Sequence, residues 1–142
     1  MIAVDTNVLV YAVVETDPRH GDCVAFLQQS VRVGQVVIAW PVVYEFLRIV
    51  THRRVLARPL SMEQAWQFVE ALTRHPSVVL AGEGNRHLHA AAQSLFAPGV
   101  SGNLVHDAHI AAILAERGVG RLATYDQDFR RFEGLTLVHP GS

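Results

Sequence analysis

The 142-residue chain predicts an α/β fold, a three-layer α/β/α sandwich around a central, mainly parallel five-stranded sheet. Three observations carry this prediction. Short continuous apolar runs rich in Val, Leu and Ala have the length of strands buried on both faces, as in a parallel sheet. Longer stretches with apolar residues at helical spacing separate these runs. Strands that alternate with helices then call for right-handed crossovers, which stack helices against the sheet.

The strands are expected at 2–4 (IAV), 36–40 (VVIAW), 77–81 (SVVLA), 121–125 (RLATY) and 135–139 (LTLVH). Between the first two, residues 19–33 carry Cys23, Phe26, Leu27 and Val31 at helical spacing and stop at Gly34. A second helix covers about 41–52, with Pro41 at a first-turn position, where its missing N–H is harmless. The run SMEQAWQFVEAL opens with Ser61 and has Gln64 three residues on, the spacing of a capping box. Two more helices are expected at about 85–96 and 103–117, the last ending at Gly118. No repeat, linker or low-complexity segment interrupts the pattern, so residues 1–142 read as one domain.

Half of the residues are hydrophobic and 18% are charged, enough for a well-buried core. No apolar run has the length of a membrane span, and MIAVDTN lacks a basic region followed by a long apolar stretch. The lone Cys23 fits a reducing compartment and reads as a small buried helix residue. The chain is therefore expected to be soluble, unexported and cytoplasmic. With a net charge of −1 it has no global field to attract nucleic acid, so any such binding needs a local basic patch. All twelve basic residues are Arg, which excludes mechanisms that use a catalytic lysine.

Acids stand where strands hand over to helices or loops. Asp5 follows the first strand, Glu45 lies about one turn into the next helix, Asp107 sits near the start of a later helix, and Asp126 and Asp128 follow the fourth strand. Ligands of open α/β sheets bind at the carboxyl ends of the strands, so these acids can meet on one edge. Singly, each is explained as a helix cap or turn former. As a set they are not, because Glu45 and Asp107 are flanked by apolar residues, where a bare carboxylate is unfavourable. A divalent cation is the simplest common partner, which points to phosphodiester chemistry.

These residues give the chain its resemblance to a known family. The apolar strand with Asp-Thr-Asn (Asp5, Thr6, Asn7), the Glu of PVVYEFLRIVTHRR (Glu45), HDAHIAA (Asp107) and the run Thr124, Asp126, Asp128, Phe129 occur in order over almost the whole chain. In these features the sequence resembles PIN domains, and among them the VapC-type ribonuclease toxins of toxin–antitoxin pairs. The resemblance implies an endoribonuclease that uses Mg²⁺ or Mn²⁺ held by Asp5, Glu45, Asp107 and Asp126, with Asp128 as a fifth contributor whose role stays open. Thr6, Asn7 and Thr124 would orient ligands or water. It further implies a homodimer and a small VapB-like antitoxin that lays a helix in an apolar groove, in a heterotetramer or larger assembly. Whether one ion or two would act is left open.

Arg48, Arg53, Arg54 and Arg58, with His52, make the densest basic stretch. They read either as a grip on RNA phosphates or as a solvated basic helix end, with Arg48 nearest the acids. Arg130 and Arg131 read as surface residues. His106, His109, His87 and His89 are too few for a tetrahedral zinc site, and GEGNRH (82–87) reads as a turn rather than a dinucleotide loop. Trp40 and Trp66 read as core or dimer surface. A haloacid-dehalogenase-like phosphatase would need an Asp where Asn7 stands, and both that enzyme and a receiver domain use a lysine. A processing nuclease and a non-catalytic scaffold of the same fold are the remaining alternatives.

Overall fold

The computed structural model describes residues 1–142. Its sheet has five strands, β1 (Ile2–Val4), β2 (Val36–Ala39), β3 (Val78–Ala81), β4 (Arg121–Ala123) and β5 (Thr136–Val138), in the order β3-β2-β1-β4-β5. Every pairing is parallel, so the mainly parallel sheet expected is wholly parallel. β1 is central, with Ala3 facing Val37 on one side and Leu122 on the other. β1 and β2 are buried along their length and β4 beyond Arg121, whereas the edge strands β3 and β5 are half-buried and not covered on both faces as expected.

Six helices cover the sheet in the three-layer arrangement: α1 (Thr6–Val13), α2 (His20–Val33), α3 (Trp40–Val50), α4 (Met62–Arg74), α5 (His87–Leu95) and α6 (Leu104–Glu116). The first is an addition to the sequence reading, which assigned no element to residues 6–13. Its run TNVLVYAV is rich in β-branched residues and fits a strand as well as a helix. Asp5 decides the matter by accepting the Thr6 N–H at 2.7 Å, and α1 then packs against α2 and α3 within the β1–β2 crossover. Trp40, expected at the end of a strand, instead begins α3, with Pro41 in the first turn.

Other local signals act as the sequence suggests. Ser61 and Gln64 form both bonds of the capping box of α4. Gly118 stops α6 at φ +70°, a conformation that side chains with a Cβ rarely adopt. The core is one cluster running through Val8, Val37, Phe46, Ile113 and Leu122. Cys23 is buried in it, Trp40 packs against it, and Trp66 is exposed. No helix is long and apolar enough to cross a membrane.

Candidate metal centre at the sheet's switch point

The chain builds β1, β2 and β3 outward in one direction, then returns to place β4 and β5 on the other side of β1. Helical connections therefore diverge between β1 and β4, and a crevice opens beyond their carboxyl ends. Asp5 leaves β1 there. Thr124, Tyr125 and Asp126 leave β4 beside it, so Asp126 stands three residues past the strand rather than directly after it.

A buried network ties these two strand ends together. Asp5, 5% exposed, receives the Thr6 N–H on Oδ1 at 2.7 Å. Its Oδ2 receives the Thr124 hydroxyl at 2.7 Å and the Asn7 amide at 3.2 Å. Thr124, 1% exposed, in turn accepts from Asn7 Nδ2 at 3.3 Å and from the Asp126 N–H at 2.9 Å, which uses all the bonding capacity of its hydroxyl. Asn7 Oδ1 accepts the Tyr125 N–H at 3.3 Å, and Asp126 Oδ1 accepts the Asp128 N–H at 2.8 Å. Thr6 points its hydroxyl the other way, to Glu45 Oε2 at 3.3 Å.

Two clefts meet at the acids. One, of about 320 Å³, has Asp5, Glu45, Asp107 and Asp126 on one side and an apolar wall that includes Val10, Val14, Ile49 and Leu56 on the other. The second, of about 730 Å³, is more polar; Tyr44, Arg48, Asn103 and Asp128 line it, and Glu45, Asp107 and Asp126 form the ridge it shares with the first. Within the ridge, Asp107, Asp126 and Asp128 bring one carboxylate oxygen each to within 4.8 Å of one another. The structure thus groups Asp128, which the sequence left open, with Asp107 and Asp126. Asp5 and Glu45 face the same cleft but are engaged by protein donors.

Protonation preferences differ between Asp5, Glu45 and Asp107. Burial raises the Asp5 carboxyl above its usual range, against the pull of its Thr124 and Thr6 hydrogen bonds. Asp107 is pushed up to about 6, first by burial and then by the negative charges of Asp126 and Asp5. Glu45 is held below the usual range by its contact with His106, and His106 is raised by the same contact. The His106 Nε2 lies against Glu45 Oε2 but off the ring N–H axis, so the pair is a charge contact rather than a well-directed hydrogen bond. His106 is the one member of the site that sequence reasoning mentioned without assigning a role. Its place on the first turn of α6, beside Asp107, was the available signal.

Hard oxygen donors, crowded together, fit a divalent cation of the Mg²⁺ or Mn²⁺ class, which prefers oxygen ligands and keeps part of its water shell. Asp107, Asp126 and Asp128 would form the ligand face, with Asp5 behind them.

The arginines sit farther out. Arg48 approaches Glu45 at 3.9 Å with its side chain 65% exposed. Arg53, Arg54 and Arg58 are exposed on the segment after α3, whose Val55 and Leu56 form part of the apolar wall. Arg131, read as a surface residue, braces the last acid, with its guanidinium 3.7 Å from Asp128 and bonded to the carbonyl oxygens of Asp128 and Pro98.

The model of the PIN domain matches residues 2–135. The chain belongs to the PIN-domain family. Among its curated relatives are Ribonuclease VapC48 of Mycobacterium tuberculosis, 34% identical over 97% of this chain and 96% of the relative, and Ribonuclease VapC37 of the same species, 36% identical over 99% and 97%. These place it in the VapC group of PIN domains. Solved structures with the same fold include the VapC20 toxin of Mycobacterium tuberculosis, a Sarcin-Ricin loop cleaving toxin, with a TM-score of 0.69 at 18% identity over 92% of this chain and 93% of that one. The VapBC2 complex of Rickettsia felis bound to a promoter DNA fragment gives 0.70 at 19% identity, over 97% and 98%. The PIN fold expected from the resemblance is the fold observed.

Proposed function

We propose that this PIN domain is a Mg²⁺- or Mn²⁺-dependent endoribonuclease and the toxin of a VapBC-type pair. The observation that carries this reading is the convergence of five acids on the β1–β4 switch point, three of them close enough to share one ion. When bound, the ion would neutralise charge on the scissile phosphate and make water a better nucleophile at neutral pH.

The chain's own residues do the rest. Thr124 and Asn7 hold Asp5 in one orientation, and Asp126 is held in turn through its backbone N–H. Glu45, kept ionised by His106, stands on the shared ridge as a fixed negative charge beside the other acids. Arg48 stands at the rim, where a guanidinium grips phosphate without reading sequence. Tyr44, 68% exposed in the same polar cleft, offers a face on which an unpaired base can stack. The alignment of Asp5, Glu45, Asp107, Asp126 and Asp128 argues against a non-catalytic scaffold.

The apolar wall beside the acids suits an antitoxin helix with a basic side chain reaching toward the ridge. Leu88 on α5 and Phe96 just after its end, 90% and 85% exposed, support a homodimer through that helix. A cytoplasmic location fits the single reduced Cys23. Expression in a bacterial host tests the toxin reading. The wild-type chain should arrest growth and leave RNA with new ends, and Asp126→Asn should restore growth. Normal growth and intact RNA in cells full of folded wild-type protein would remove the toxin assignment.

A further inference from the structure

A second cluster lies away from the acidic ridge, between the turn after β3 and the α5–α6 pair. Glu83, His87 and His109 each bring one ligand atom to within 4.8 Å of the others. Glu83 and His109 are already in contact, Oε1 to Nε2 at 2.5 Å. The two imidazole rings stand edge to face, 5.7 Å apart. His87 is held from behind, because its Nδ1 lies 2.6 Å from Glu116 Oε1, and the Glu116 side chain is only 7% exposed.

The turn is shaped around that carboxylate. The Gly84 N–H donates to Glu116 Oε2 at 3.0 Å, and a Cβ at position 84 would stand 2.7 Å from the same oxygen. Glycine lets the Glu116 carboxylate approach the turn without being displaced. With Nδ1 engaged by Glu116, His87 is left with Nε2 as its free ligand atom. A carboxylate that fixes the far nitrogen of a histidine is the support found behind metal-bound imidazoles.

We propose that Glu83, His87 and His109 form a binding site for a zinc-class transition metal, with Glu116 orienting His87. Two imidazoles and one carboxylate suit Zn²⁺ rather than Mg²⁺, which favours oxygen alone. Three protein ligands leave one tetrahedral position for water or an outside donor. The metal takes the place of the direct contact between His109 Nε2 and Glu83 Oε1. It pins the start of α5 to α6, the helix whose opposite side carries Asp107 two positions before His109. The site is independent of the ribonuclease reading, since its ligands lie outside both acidic clefts.

The test uses the full chain carrying Asp107→Asn, which weakens the oxygen cluster, after removal of metals with a chelator. Zn²⁺ is titrated against a chromophoric competitor, and Co²⁺ is added separately to read coordination from its visible absorption. The expected result is one Zn²⁺ per chain, a tetrahedral Co²⁺ spectrum and a higher melting temperature with Zn²⁺. Adding Glu83→Gln, an exposed change that leaves the fold intact, should weaken Zn²⁺ binding at least tenfold, and His87→Ala about a hundredfold or more. Absence of Zn²⁺ binding by the parent, or affinities within about twofold in both variants, would overturn the proposal and leave the cluster as a hydrogen-bonded brace.

Discussion

Asp107→Asn should stabilise the metal-free protein, and the gain should depend on pH in a defined way. The Asp107 carboxyl is lifted from 3.8 to about 6 by burial and by its neighbours Asp126 and Asp5, so the folded state holds its proton more tightly than the unfolded chain. Between those two values the folded state carries more bound protons, and stability therefore falls as pH rises through about 4 to 6. At 1.36 kcal/mol per tenfold change, such a displacement corresponds to about 3 kcal/mol at most. Asp107 is only partly buried, and solvent screening reduces the figure to about 1–2 kcal/mol. Asparagine keeps the shape and removes the charge. Thermal melts in EDTA at pH 7.5 should then rise by about 3–6 °C over wild type. The difference should shrink as pH falls from 6 and vanish near pH 4. Added Mg²⁺ should narrow it from the other side, by stabilising wild type more than the variant. A variant less stable than wild type at pH 7.5, or an offset independent of pH, would refute the reasoning that the acids repel one another in a partly desolvated cleft.

Thr124→Val should lower stability by about 2–3 kcal/mol in urea unfolding, because it removes the hydroxyl that joins Asp5, Asn7 and the Asp126 N–H while leaving Asp5 buried. Thr124→Ser should recover most of the loss, and a change below about 0.5 kcal/mol would contradict the network. His106→Ala should let the Glu45 carboxyl rise toward 4.5, as read by carbon NMR titration. The pair's contribution is present above the unfolded value of Glu45 and below that of His106, and fades as pH climbs through the raised His106 value, so the stability cost should peak between about pH 4.5 and 6.5. Phe46→Ala removes a fully buried ring stacked on Phe68 at 5.2 Å and should destabilise by about 3–5 kcal/mol in the same unfolding assay.

The sheet was legible because its central strands are uniform apolar runs of strand length, and parallel strands buried on both faces leave little else to read. α1 was not, since Val8, Val10 and Val13 fit strand or helix equally and only the Asp5 cap and the β1–β2 crossover select the helix. Placing the acids on one edge needed only the positions of the strand ends. Dividing them into a carboxylate triad and two engaged acids depended on contacts across more than a hundred residues, such as Asn7 to Thr124, which no local pattern encodes. The cluster of Glu83, His87 and His109 was hidden for the same reason, because its histidines come from two different helices.

Divalent metal at Asp107, Asp126 and Asp128 is what would make the cleft a nuclease. Single-turnover cleavage of RNA by the purified chain, with Mg²⁺ or Mn²⁺ and with EDTA, tests that most directly when Asp107→Asn is run beside it, because that variant is expected to be the more stable protein. Cleavage by wild type only with metal, and its loss by about a hundredfold or more in a folded Asp107→Asn, is the predicted result. Equal cleavage with and without metal, or full metal-dependent activity in the variant, would contradict it.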